Sequence, residues 1–156
     1  MGLFGPPGPY SRFRLAPDER RIVFDYSSLD IGVLDSVRGV TSRLTFDPAA
    51  DNAPMWSPDG LRIVWASNRN GPFDLYIKSA SGTDQEELLI KIGVGAGWGT
   101  DWSRDGRFIL YQMPGAKFQV SSGGGSEPQW RMDGTELFYL AADQMLMAVP
   151  VKLGGS

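Results

Sequence analysis

Short runs of apolar residues, separated by turn-forming residues, recur along most of this chain. The runs at residues 21–26 and 62–67 are rich in β-branched and aromatic side chains, a composition that favours buried strands. Residues 74–78 alternate instead between polar and apolar positions, with the period of a half-buried strand. Because 20 glycines and 11 prolines are spread through the chain, long helices are not expected. The pattern therefore predicts an all-β protein of short strands and frequent turns.

These strands are organised by a sequence pattern that occurs four times. Its clearest copy places Trp56 at the end of one strand, then the turn Ser57-Pro58-Asp59-Gly60, then a second strand. In this turn the proline presets φ, and the glycine is available for a left-handed conformation. The pattern returns around Trp102 and Trp130, and more faintly around Leu15. The residues that mark the repeat are Trp56, Trp102, Trp130, Asp59, Gly60, Asp105, Gly106, Asp133 and Gly134.

A recurring segment of this kind indicates a repeat protein, in which each unit is one supersecondary element. We predict that each unit is an antiparallel meander of four strands. Trp130 follows Trp102 more closely than Trp102 follows Trp56, so the third unit is expected to have lost a strand and to end on residues 117–121. The fourth unit is likewise expected to stop after three strands. The predicted regions are an N-terminal arm rich in glycine and proline at 1–10, repeat units at about 11–46, 53–90, 99–121 and 127–151, and a tail at 152–156.

Two motifs relate the repeat to a known family. Trp56-Ser57-Pro58-Asp59-Gly60 at the first turn, and Ser67-Asn68-Arg69-Asn70-Gly71-Pro72-Phe73-Asp74-Leu75-Tyr76 across the second, resemble TolB-type β-propeller repeats, which are related to WD repeats. The resemblance extends from Ser11 to Val151. It implies that each unit is one propeller blade, that its first strand lines a central channel, and that successive blades pack face to face. Such propellers usually close with more than four blades, so the chain is expected to form a small or incomplete propeller.

An incomplete propeller leaves a strand edge and two blade faces uncovered, and natural proteins cover or blunt such edges. Closure within this chain as a four-bladed ring is one solution, with strand 12–15 or the N-terminal arm acting as a clasp. A segment of a longer parent is another. We expect a homodimer that completes the ring, because association of identical subunits is the commonest way to satisfy such faces.

The charged and reactive residues restrict the function. A net charge of −3 and a pI near 4.9 provide no basic surface for nucleic acid. With no histidine and no cysteine, the chain offers no disulfide, no Ser-His-Asp or Cys-His nucleophile, and few ligands for zinc, copper or haem. We therefore expect no catalytic residues, no metal and no cofactor. The sequence shows no signal peptide and no membrane span, which predicts a soluble, cytoplasmic chain, although the resemblance also allows a periplasmic or extracellular location.

Three features suggest ligand chemistry, but each has a structural interpretation that we favour. The repeated tryptophans could stack on a ligand, yet bulky aromatic side chains are also what fills the space between blades. The repeated Asp-Gly turns lack the alternating oxygen ligands of a calcium-binding loop. The glycines of segment 93–99 precede a strand, whereas phosphate-binding loops require a helix at that point.

The turns between second and third strands emerge on the same face as the crossings between units, and these loops vary in length and polarity. Variable loops on a rigid scaffold are the usual site of recognition. We therefore predict a binding surface on this face, made of Asn68, Arg69, Asn70, Trp98 and Asp101. The favoured function is a non-catalytic module that binds a protein or peptide. The alternatives are an accessory propeller of a peptidase or kinase, a hydrolase that uses channel carboxylates, or a purely structural fragment.

Overall fold

The computed structural model describes residues 8–27, 29–92, 98–112, 125–141 and 143–151. Within these ranges the chain forms thirteen β-strands in four separate antiparallel sheets and contains no helix. This confirms the predicted all-β class. None of the described residues belongs to a helix that is long and apolar enough to cross a membrane.

The first two sheets are meanders of four strands, in which each strand pairs with its neighbours along the chain. The first sheet consists of β1 (Tyr10–Leu15), β2 (Arg21–Tyr26), β3 (Asp30–Asp35) and β4 (Val40–Arg43). The second sheet consists of β5 (Asp51–Trp56), β6 (Arg62–Ser67), β7 (Asp74–Ser79) and β8 (Glu87–Ile90).

The other two sheets have fewer strands in the described ranges. The third sheet consists of β9 (Trp98–Trp102) and β10 (Ile109–Gln112), and the fourth of β11 (Gly125–Trp130), β12 (Glu136–Ala141) and β13 (Leu146–Pro150). Residues 117–121, the predicted last strand of the third unit, lie outside the described residues.

The repeated turn between the first and second strands is held by its own side chains. The Asp59 carboxylate accepts hydrogen bonds from the Ser57 hydroxyl (2.5 Å) and from the main-chain nitrogen of Leu61 (3.0 Å), while Gly60 adopts a φ of 68°. The third unit repeats this arrangement with Ser103 and Asp105. A left-handed φ favours glycine, which explains why an Asp-Gly pair marks this turn in successive units.

The sheets stack face to face in chain order. One apolar cluster, which includes Trp56, lies between the first and second sheets. A second cluster covers the opposite face of the second sheet, where Trp98, Trp102 and Ile109 of the third sheet pack against it. The Trp130 ring of the fourth sheet lies 6.3 Å from the Phe108 ring of the third. The repeated tryptophans therefore lie between neighbouring sheets; Trp56 is 7% exposed, and Trp102 and Trp130 are half-buried.

Candidate functional site

The first strands of the four sheets lie side by side around a common axis. β1 contacts β5, β5 contacts β9, and β9 contacts β11. These four strands, called the inner strands below, line a cavity of about 80 Å³. Its lining residues are Arg12, Arg14, Ala53, Pro54, Met55, Trp98, Gly99, Thr100, Glu127, Pro128 and Gln129, all of which belong to the inner strands.

Each inner strand bulges where it lines the cavity. In the second sheet Asn52 pairs with Ala66 and Met55 with Val64, so that two residues of β5 oppose one residue of β6. The pairing of β1, β9 and β11 with their neighbours shifts at the corresponding place. Ala53 and Glu127, which lie at equivalent positions in two of the bulges, have φ values of 51° and 52°. Bulges redirect side chains and are common near functional sites, and a left-handed φ in a residue other than glycine is uncommon.

The repeat places four different residues at one level of the cavity. This position lies three residues before the repeat tryptophan, or before Leu15 in the first unit. From the first unit to the fourth it is occupied by Arg12, Ala53, Gly99 and Glu127. A Cβ at Gly99 would lie 2.5 Å from Cε of Met55, so the end of the Met55 side chain occupies the space that a side chain at position 99 would need. The tryptophan and Asp-Gly positions keep their residue type in the second, third and fourth units, whereas this cavity position differs in all four units: it presents a cation, a methyl group, no side chain and an anion in turn.

A buried carboxylate fixes two of the bulges. Asp25, fully buried in β2, accepts a hydrogen bond of 2.8 Å from the main-chain nitrogen of Arg12 and one of 3.1 Å from that of Ala53. These two nitrogens belong to the inner strands of neighbouring sheets. The carboxylate therefore joins the first sheet to the second at the wall of the cavity.

Asp101, one of the predicted binding residues, has a similar position between the third and fourth sheets. It lies within β9 rather than in a loop, and its carboxylate accepts hydrogen bonds from the main-chain nitrogens of Trp130 (2.6 Å) and Trp102 (2.8 Å). Burial raises the pKa of this carboxyl above its usual value, although the two hydrogen bonds and the nearby Arg14 act in the opposite direction.

Charged side chains surround the cavity. Arg12 and Arg14 of β1 and Glu127 of β11 are all exposed. The Arg12 guanidinium carbon lies 5.9 Å from the centre of the Trp98 ring, within the range of a cation–π interaction. Two cations and one anion are thus among the residues that line the cavity, and the carboxylates of Asp25 and Asp101 lie behind this lining.

The predicted residues Asn68, Arg69 and Asn70 lie in the turn after β6, and they are not among the residues that line the cavity. The Arg69 guanidinium forms a close ion pair with Glu86, lies 3.5 Å from Oδ1 of Asp51 and stacks 4.2 Å from the Tyr76 ring centre. Only 15% of the Arg69 side chain is exposed.

The two asparagines of this turn also contact their own sheet. Asn70 donates a hydrogen bond of 2.5 Å to the Tyr76 hydroxyl, and the Asn68 side-chain oxygen accepts one of 2.9 Å from the main-chain nitrogen of Ala50. Both asparagines remain exposed. Asp51, beside Arg69, is fully buried, and burial raises the pKa of its carboxyl.

The structure thus separates the five predicted binding residues. Trp98 lines the cavity, Asp101 connects two sheets beside it, and residues 68–70 form the turn of the second sheet. The cavity residues Arg12, Arg14 and Glu127 were not predicted. Their position relative to the repeat tryptophans is the signal that identifies them, because it carries a different residue in every unit.

The described residues contain no group of three or more histidine, cysteine, aspartate or glutamate side chains that could hold a metal ion. The carboxylates of Asp25 and Asp101 are instead used as acceptors for main-chain nitrogens.

Solved structures share this architecture. No protein-family model matches the chain. The protein assigned as TolB from Agrobacterium tumefaciens superposes with a TM-score of 0.73 at 15% identity, over 93% of this chain and 59% of its own. TolB from Acinetobacter baumannii superposes with a TM-score of 0.69 at 15% identity, over 94% of this chain and 45% of its own. This chain therefore has a TolB-like β-propeller fold and spans about half the length of these structures, which confirms the predicted fold class of a partial propeller.

Proposed function

We propose that this chain, which has the fold of a TolB-like β-propeller, is a non-catalytic module that binds a segment of a protein partner. An acidic side chain or a terminal carboxylate of the partner enters the cavity between the inner strands. The observation that carries this proposal is that one level of the cavity presents Arg12, Ala53, Gly99 and Glu127, although the tryptophan and Asp-Gly positions are the same in the second, third and fourth units.

The size of the cavity supports a protein partner over a small-molecule substrate. Pockets that enclose a small ligand usually have volumes of roughly 300–1,000 Å³. At about 80 Å³, this cavity matches a single side chain. The rest of the partner would then lie across the mouth, where the inner strands begin.

The charge of the cavity supports an acidic group. Arg12 and Arg14 supply two guanidinium groups, which form strong, directional hydrogen bonds with carboxylates. Trp98 provides an apolar surface beside them. Glu127, on a different inner strand, also lines the cavity, where it disfavours a second anion and so orients the bound segment.

The turn of the second sheet extends this surface. β5 begins at Asp51, which pairs with Ser67 immediately before the turn, so residues 68–70 lie at the end of the sheet where the inner strand starts. Asn68 and Asn70 are exposed and supply additional hydrogen-bonding groups. Arg69 holds the turn in place through its ion pairs.

The test is selection from a phage-displayed library of random linear peptides, followed by titration of the selected peptides. We expect enrichment of peptides that contain an acidic residue or a free terminal carboxylate. Replacing both cations, Arg12→Glu with Arg14→Glu, should weaken binding by about tenfold or more, the effect of losing a charge-assisted hydrogen bond.

Arg104→Glu is the matched control, because Arg104 is exposed on a repeat turn and does not line the cavity. This variant should bind the selected peptides as the parent does. The proposal is wrong if no peptide is enriched over an unrelated β-protein, or if the double variant binds as tightly as the parent.

A further inference from the structure

The first sheet carries apolar side chains on the face that points away from the second sheet. Val23, Ile31 and Val33 point toward the second sheet, in the cluster with Trp56. The alternate positions point the other way, since Phe13 pairs with Phe24 and Leu15 with Ile22. We call Phe13, Leu15, Ile22, Phe24 and Gly32 the first-sheet face. Phe13 is 67% exposed and Leu15 54%, whereas Phe24 is only 3% exposed, because the rings of Tyr10 and Tyr26 pack against it.

The fourth sheet carries a second apolar face of this kind. Trp130 and its pair Leu137 point toward the third sheet. The alternate positions, Phe138, Leu140, Leu146 and Ala148, point away from it, since Phe138 pairs with Ala148 and Leu140 with Leu146. We call these four residues the fourth-sheet face. Leu146 is 74% exposed and Leu140 37%.

The two faces correspond to the two halves of a contact that the chain makes internally. In register, Leu15, Ile22 and Phe24 are equivalent to Trp56, Ile63 and Trp65, which the second sheet buries against the first. On the fourth-sheet face, the residues correspond in order to Val64, Ala66, Leu75 and Ile77, which the second sheet buries in its other apolar cluster, against the third sheet.

We propose that the fourth-sheet face of one copy of this chain packs on the first-sheet face of a second copy, in the same manner as neighbouring sheets within the chain. A groove of about 210 Å³ lies on the first sheet beside Phe24 and Gly32. Gly32 of the first sheet is equivalent in register to Tyr76 of the second sheet. The groove therefore lies where the first sheet lacks the side chain that the second sheet has. Phe138 and Leu146 of the second copy fill this groove.

We infer that a second copy covers these faces, because one chain carries both sides of the same sheet-to-sheet contact. Large apolar patches on a soluble protein mark interaction sites, and here the complement of each patch is the other patch. Two copies related by a twofold axis make this contact twice and leave neither patch exposed. A single contact in a chain of copies would leave one patch exposed at each end.

The test is the solution mass, measured by sedimentation or light scattering over a concentration series, for the parent and two single variants. The parent should have a mass above that of one 17.1 kDa chain, and Leu15→Asp and Leu146→Asp should each be monomeric. Both leucines are more than half exposed, so neither substitution should unfold the chain, and circular dichroism checks this. Leu61→Asp is the control, because Leu61 is 64% exposed on a repeat turn and belongs to neither face.

Mixing the two monomeric variants distinguishes this contact from other modes of association. The Leu15→Asp chain keeps an intact fourth-sheet face and the Leu146→Asp chain an intact first-sheet face, so the mixture should form a heterodimer through one contact. A monomeric parent overturns the proposal. It is also overturned if Leu146→Asp stays dimeric while Leu15→Asp does not, which would indicate that two first-sheet faces pair, or if the mixture stays monomeric.

Discussion

The indole nitrogen of Trp56 donates a hydrogen bond of 3.0 Å to the main-chain oxygen of Arg14. The donor belongs to the second sheet and the acceptor to the inner strand of the first, beside the cavity. The Arg21 guanidinium lies over the same indole at 4.8 Å and donates to the main-chain oxygen of Gly60 at 2.8 Å. Trp56 therefore combines apolar packing between two sheets with a polar link to the strand that carries Arg14.

We predict that Trp56→Ala lowers the free energy of unfolding by roughly 3–5 kcal/mol, the usual cost of removing a buried tryptophan side chain. The substitution leaves a cavity in the cluster between the first two sheets and removes the hydrogen bond to Arg14. Urea denaturation followed by circular dichroism measures the change.

Trp102→Ala is the matched comparison, because it occupies the same repeat position. Its ring is half-buried, and its indole nitrogen donates to Gly106 within its own turn. The loss of stability should therefore be smaller than at Trp56. If Trp56→Ala costs less than about 1 kcal/mol, an ordinary value for a point mutation, this residue does not hold the sheets together.

A second prediction concerns the carboxylate that bridges two inner strands. Asp25→Asn replaces one acceptor oxygen with an amide group, so one of the main-chain nitrogens of Arg12 and Ala53 loses its acceptor. Because hydrogen bonds to a charged group contribute about 1.5–3 kcal/mol each, we expect a loss of stability in that range. Hydrogen exchange of the Ala53 amide should also accelerate relative to amides elsewhere in β5.

Asp35→Asn is the control for this prediction. Asp35 also accepts hydrogen bonds from two main-chain nitrogens, those of Val37 and Arg38, but in an exposed turn. Asparagine is well tolerated in such turns, so the loss should be below about 0.5 kcal/mol. Equal effects of the two substitutions would show that Asp25 is not a special link between the sheets.

The framework was predictable from the sequence because its signals are local. The Asp59 turn involves residues within five positions of one another, and its Asp-Gly pair returns in the third and fourth units. The recurrence of the pattern around Leu15, Trp56, Trp102 and Trp130 then gives the number of units without any knowledge of long-range contacts. These features sufficed to predict an all-β partial propeller built from repeated antiparallel sheets.

The cavity was not predictable in the same way, because its geometry depends on contacts between distant residues. The bulge at Ala53 is held by Asp25, which lies in the preceding sheet. No residue near Ala53 in the sequence indicates that Asp25 is its hydrogen-bond partner. Arg69 shows the opposite case, a residue that was predicted to bind a partner but that contacts residues of its own chain. As a polar residue of a variable turn it matches a recognition site, yet its charge is paired with Glu86 and Asp51.

The last prediction concerns two carboxyl groups of the third sheet whose pKa values shift in opposite directions. The pKa of Asp105 is lowered from 3.8 to about 2, chiefly by a hydrogen bond from the Ser103 hydroxyl and then by hydrogen bonds from the main chain and side chain of Arg107. Burial instead raises the pKa of Asp101. The interactions of ionised Asp105 thus favour folding above pH 3.8 and are lost as the pH falls toward 2. Asp101 has the opposite dependence: its contribution is greatest below pH 3.8 and is lost as the pH rises through its folded pKa. Carboxyl-carbon NMR titration should give a midpoint near 2 for Asp105 and above 3.8 for Asp101.

Ser103→Ala removes the largest cause of the Asp105 shift and should raise that midpoint toward 3.8. Asp133 is the internal reference, because its pKa is lowered by Thr135 in another sheet and should not respond. An unchanged Asp105 midpoint in Ser103→Ala would mean that the hydroxyl of the repeat turn does not stabilise the carboxylate. In that case the Ser-x-Asp-Gly pattern would be maintained by the left-handed glycine and the main-chain hydrogen bonds alone.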